Sequence, residues 1–388
     1  MEAKMLNALR DAKERLAEQF HTNVELQPLQ TDQWVANSLL QKAIRRGDTG
    51  AAQRAAVTFY LQKGSAIWRR FIIIAFEDVG AAAPEIVAMT VAGSTDAAWR
   101  KKTGGDAATA ILLARLLAEA PKSRSAEHLI TASNHHASVE HERLLVSGSS
   151  LAENLAAIGE ESNTLSHRAL AAWCVSGIGW KRSKVSGSNL ASVLATFQEL
   201  GVPPELIEAT GLAAISSREA ITLMVPLIWL AANYGQRPFV TMMDVPGTSN
   251  IDEVPLYALD KHTRIGRQAI RNLVKYNSQI RGFLETNVLS AHRSDAAYMA
   301  AFYADAAPLA SKLAWRGADG LEAFGTETDM LRSGVPMEAI GPFLTLFRAN
   351  VDHLNQVRLH TVFAKRERSE GLWFTAEDMP VVRVDKRT

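Results

Sequence analysis

"WRRFIIIAFEDVG" (residues 68–80) admits two readings with different consequences. As a buried strand ending in two acids it would be a Walker B element, whose carboxylates hold a nucleotide-bound magnesium. As a buried helix with the same ending it would be a structural part. Periodicity decides between them. Trp68, Phe71, Ile72, Ala75, Phe76 and Val79 recur at three- and four-residue steps, the apolar stripe of an amphipathic helix. The run Ile72, Ile73, Ile74 favours a strand, but propensity yields to a pattern kept over about three turns. A Walker B acid also needs a phosphate-cradling loop, and no lysine in the chain follows a glycine, so the GxxxxGK[ST] motif is absent. Glu77 and Asp78 are therefore expected as a structural acid pair at a helix C-terminus. There the helix dipole disfavours negative charge, and basic partners or a backbone turn must hold them.

The same helical period runs through nearly every other segment, and the expected fold is all-α and multi-helical. Helix starts are expected after Asp48, at Pro203 and Pro204, and at a Ser216/Glu219 capping box. Stops are expected at Gly47, Gly64, Gly80 and Gly201. Small polar residues over 146–164 suggest a linker between a helical domain at 1–145 and a second at 165–388. The stretch "GQRPFVTMMDVPGTSNIDEVP" (residues 235–255) is the one place where a short strand or a functional loop is expected.

Composition narrows the class. The chain has 388 residues, 47% hydrophobic and 21% charged, with a formal charge of +1, so no bulk field draws it to nucleic acid and any such binding must come from local patches. Cys174 is the only cysteine, which excludes an intramolecular disulfide and a cysteine zinc site and fits a cytoplasmic protein. The charged N-terminus does not read as a signal peptide. The longest apolar run, residues 220–232, is shorter than the ~20 residues of a membrane span and contains Pro226. No cofactor is expected.

Three blocks, "SLLQKAIRRGDTGAAQRAA", "FIIIAFEDVGAAAPEIV" and "ARLLAEAPKSRSAEHL", occur in this order within residues 30–135. They resemble the C-terminal helical region of the replication-associated recombination ATPase family RarA (MgsA), which is of clamp-loader type. That family is marked by a serine-containing helix running into an Arg-Gly-Asp-like turn, a helix ending in Glu-Asp-Ile/Val-Gly, and a helix broken by Ala-Pro-Lys-Ser. Here those features fall on residues 38–48, 77–80 and 120–123. The resemblance implies a collar-like helical domain used for oligomerisation and for work at replication forks. The family's ATPase and lid modules have no counterpart in the sequence, so hydrolysis is not carried over.

Two basic stretches outside those blocks suit nucleic acid. Arg264, Arg267, Arg271 and Lys275 lie on one helical face, extended less regularly by Arg281. Such a row can follow a phosphate backbone, and it equally suits a solvated face or one paired with acids of a neighbouring helix. In "GWKRSKVSGS" (residues 179–188), Trp180 stands beside Lys181, Arg182 and Lys184, an arrangement in which the ring can stack a base while the cations hold phosphates, or simply plug a loop. The histidines of "SNHHASVEHE" (residues 133–142) lack metalloenzyme spacing, and no metal site is expected. The function expected is a non-enzymatic scaffold or adaptor of DNA replication or repair, self-associating and touching protein and DNA partners but no membrane. The alternative is an enzyme with its site in the 235–255 loop and at Asp260, His262 and Arg264, where Asp260 and His262 would form a general-base pair.

Overall fold

The opening stretch is a helix that changes pitch. In the computed structural model, Ala66–Ile74 is α-helical and Ala75–Val79 continues as one π-helical turn, closed by the Gly80 amide donating to Ala75 O. All six residues of the apolar stripe are buried. The wider turn matters for the acids. Successive α-helical side chains diverge by about 100°, whereas here the neighbours Glu77 and Asp78 both reach Arg45.

The structure describes residues 2–20, 24–180, 185, 187–368 and 382–384. Among these are twenty α-helices and three two-stranded antiparallel ribbons, so the fold is all-α. Phe239–Met242 pairs with Ser311–Ala314, Asn250–Ile251 with Val254–Pro255, and Val24–Leu26 with Val382–Val384. Two of the ribbons draw strands from the 235–255 segment. No helix among the described residues is long and apolar enough to cross a membrane.

Apolar side chains collect in two clusters. The first runs from Leu9 to Ile265, with Leu313 and Val362 joining it. The second runs from Ala269 to Val357. The expected linker at 146–164 is corrected by this arrangement. It carries the Leu151–Gly159 helix, started by a capping box between Ser150 and Glu153, and Val146 and Ile158 belong to the first cluster. The core is thus continuous across the segment, and it changes over inside the Arg264–Tyr276 helix instead. The Ser216/Glu219 capping box is likewise absent, because Ser216 lies within the Pro204–Ser217 helix and its hydroxyl donates to Leu212 O.

At the centre lies the Gln33–Arg46 helix. The Asp32 carboxylate caps its start and Gly47, in the left-handed region at φ 67°, ends it. It is buried almost all round, yet Ser38, Gln41, Lys42, Arg45 and Arg46 are among its buried residues. A helix enclosed on every side is ordinarily apolar throughout. This one needs polar partners from elsewhere in the chain.

Candidate nucleic-acid interface and the charge cluster beneath it

Those partners come from segments distant in sequence. Arg45 Nε lies 2.5 Å from Asp78 Oδ1, and its Nη2 lies 2.6 Å from Glu77 Oε1. Arg124 approaches the same two acids at 3.5 and 3.6 Å. Gln41 donates to Asp78 Oδ2 at 2.9 Å and accepts from Arg70. The backbone joins in, with Ser123 N donating to Asp78 O at 2.9 Å. Glu77 and Asp78 are therefore clamped by guanidinium groups. The three sequence blocks behind the family resemblance meet here, the first supplying Arg45, the second the acids and the third Arg124.

Two further ties leave the same helix. Lys42 Nζ lies 2.7 Å from Asp260 Oδ2, and Ser38 Oγ bonds Asp260 Oδ1 at 3.1 Å. Arg46 and Arg358 take the two oxygens of Asp305 at 2.8 and 2.5 Å. Asp305 stands in a second π-helical turn, Phe302–Ala306. The Phe302 ring in that turn faces Lys261 at 4.3 Å and Arg45 and Arg124 at 5.5 Å, so its negative face adds to the neutralisation.

Burial and charge oppose one another in this cluster. Burial pushes the Glu77 carboxyl up, but Arg45, then Arg124 and Arg70, outweigh it and hold the group at about 2. Asp260 is likewise pushed up by burial and brought down to about 2 by Lys42 and then His262. Burial lowers Lys42 to about 8 against the attraction of Asp260. A carboxylate held below its unfolded value stabilises the fold above that value and stops doing so as pH falls through the folded one. The stability difference between the parent and Glu77→Gln should therefore be constant above about pH 5 and shrink between pH 4.5 and about 2. Denaturant unfolding of both proteins across that range measures it. A difference independent of pH would mean that Glu77 is not ionised in the fold.

Asp260 links the cluster to the surface. Its backbone oxygen accepts from Thr263 N, and its side chain accepts from His262 N at 2.9 Å. Thr263 then caps the Arg264–Tyr276 helix by accepting from Gly266 N. Gly266 has no alternative here, because a Cβ would lie within 2.5 Å of Asp260 N and Leu259 C. The helix is strongly two-faced. Ile265, Ala269, Ile270 and Leu273 are buried, while Arg264, Arg267, Arg271 and Lys275 are all exposed.

None of these four cations has a carboxylate at ion-pair distance among the described residues. Arg267 donates to Lys261 O, Arg271 to Tyr298 Oη and Gln268 Oε1, and Lys275 lies over the Tyr276 ring. Their contacts are thus with neutral groups. Asp295 and Asp329 do line a cleft of about 390 Å³ beside Arg267. The structure brings the four stripe residues into one row, extended by Arg281, which donates to Lys275 O.

The remaining sequence candidates fare differently. Lys181, Arg182 and Lys184 lie outside the described residues. Trp180 packs edge-on against Trp173 with ring centroids 4.8 Å apart. His136 bonds Glu327 at 2.9 Å, and Glu140 pairs with Arg143. The Asp260–His262 base pair is corrected: the Asp260 carboxylate is engaged by Lys42 and Ser38, and His262 Nε2 stands 3.9 Å from it, with its ring mostly exposed.

Sequence reading missed Lys42, Arg46, Asp305 and Arg358. The available signal was three cations at the end of a helix whose other faces are apolar. Scans of family models, of curated proteins and of solved structures each find no match to this chain.

Proposed function

We propose that this chain is a non-enzymatic helical scaffold of DNA replication or repair that holds nucleic-acid phosphates along Arg264, Arg267, Arg271 and Lys275. On this reading it works in the cytoplasm with replication or repair proteins, as a homo-oligomer. One observation carries the DNA contact: four exposed cations in a row, without acid partners among the described residues, on a helix whose capping segment is held by the buried Lys42–Asp260 pair. At ~1.5 Å rise per residue, cations three or four residues apart present charge about every 5 Å, a spacing suited to successive phosphates. The wider role in replication or repair draws on the resemblance to the RarA collar.

The reading predicts salt-sensitive binding to single-stranded, duplex or forked DNA, measurable by fluorescence anisotropy. Arg267→Glu with Arg271→Glu should abolish it while leaving the helical circular dichroism intact, since both side chains are exposed. Milder single variants to alanine should each reduce the slope of log K against log[salt] by about 0.7 to 0.9. They should weaken all sequences alike, because phosphate contacts carry no base information. A double variant that binds as the parent does would reduce the stripe to a solvated face.

A further inference from the structure

We propose that the Phe239–Met242 strand pairs with the same strand of a second copy of this chain, making a four-stranded antiparallel sheet about a two-fold axis at Thr241. The inference stands independently of DNA binding.

Among the described residues, the Phe239–Met242 and Ser311–Ala314 ribbon has one used edge and one open edge. On the Ser311–Ala314 side, Leu313 N donates to Lys122 O at 2.9 Å and Ser311 Oγ accepts from Lys122 N. On the other side, Phe239 is 66% exposed, Val240 42%, Met242 76% and Met243 45%. Residues 238–243 carry no charge, and the only proline among them, Pro238, precedes the strand. Natural edge strands are ordinarily blunted by lysine, proline or a bulge, and an apolar edge without them is a template for pairing.

The ladder shows which groups are free. Met243 N donates inward to Ala310 O at 2.9 Å. Antiparallel alternation then turns Phe239 and Thr241 inward as well, and leaves the amide and carbonyl of Val240 and Met242 facing out. Only those two residues can make hydrogen-bonded pairs with a new strand, which limits the registers.

Self-complementarity selects the occupant and the register. With Val240 opposite the partner's Met242, Thr241 faces the partner's Thr241 and Phe239 the partner's Met243. Every apolar side chain then meets an apolar one. Sliding by two residues in one direction places Met242 against Pro238, and in the other Val240 against Asp244. The chosen register also brings Arg237 to the end of the sheet where the partner's Asp244 lies, so opposite charges meet at both ends. The pairing is isologous and closes as a dimer.

The register predicts a specific cross-link. Thr241 and the partner's Thr241 form a non-hydrogen-bonded pair with Cα atoms ~4.5 Å apart, inside the range a disulfide spans. Thr241→Cys should become a covalent dimer under mild oxidation, whereas Val240→Cys should not. Cys174 is buried and serves as the internal control in the parent. Sedimentation velocity over a dilution series should show a concentration-dependent dimer for the parent. Met242→Lys, or Val240→Pro, which removes an outward amide and spares the inner ladder, should sediment as a monomer with unchanged circular dichroism. A parent that stays monomeric at every concentration would overturn the proposal. So would a dimer indifferent to both substitutions, or cross-linking at position 240 in preference to 241.

Discussion

Asp78→Ala is expected to destabilise the protein by about 3 to 5 kcal/mol, the cost of breaking a buried ion pair from one side. The carboxylate is fully buried and faces Arg45 Nε at 2.5 Å, Gln41 at 2.9 Å and Arg124 at 3.5 Å. Its removal leaves two guanidinium groups sharing Glu77 alone. Domain stabilities are ordinarily about 5 to 15 kcal/mol, so the variant should sit near its unfolding transition at 37 °C. Adding Arg45→Met to Asp78→Ala should recover part of the loss by withdrawing a stranded charge. Urea unfolding followed by circular dichroism measures both. A loss under about 1 kcal/mol for the single variant would show that water replaces the carboxylate, contrary to the enclosed geometry.

Gly266→Ala should be of similar consequence for a different reason. Its Cβ would fall within 2.5 Å of the backbone at Leu259 and Asp260, and backbone cannot swing aside as a flexible side chain does. Overpacking ordinarily costs about 1 to 3 kcal/mol and more where nothing gives. Either the Arg264–Tyr276 helix moves outward, losing the Thr263 cap, or Asp260 leaves Lys42. Both outcomes disturb the stripe and the cluster together. The variant should therefore lose stability and, on the proposed function, DNA affinity, although residue 266 is buried and offers no contact to a ligand. If its unfolding midpoint matched the parent's, the close approach would not be a constraint on the fold.

How much of this was legible in the sequence depends on distance along the chain. The stripe from Trp68 to Val79 and the face from Arg264 to Lys275 could be read because helical period is local, and the structure buries the first and exposes the second. The π-helical turns could not, since each departs from α-helical spacing only briefly. The small polar residues of 146–164 suggest a linker, yet the segment holds the Ser150/Glu153 capping box. The same residue pattern at Ser216 and Glu219 forms no box, because the preceding helix has not yet ended there. Small polar residues mark helix starts as well as linkers, and composition alone does not separate the two. The charge cluster was illegible for a deeper reason. Lys42 and Arg46 find their acids at Asp260 and Asp305, more than two hundred residues away, and no periodicity encodes such a pairing.

The Gln33–Arg46 helix also sets a timetable for the chain. Its cations emerge well before the Asp305–Arg358 arm that completes their surroundings. At the ~5 to 20 residues per second of translation, Arg46 precedes Arg358 by roughly 15 to 60 s. Until Asp260 and Asp305 have emerged, Lys42 and Arg46 lack the acids that neutralise them in the fold. Long-range pairing of this kind slows the final step of folding. It makes the Asp305–Arg358 arm a late lock on the first core, and nascent chains stalled before residue 305 should remain open to protease at the centre of that core.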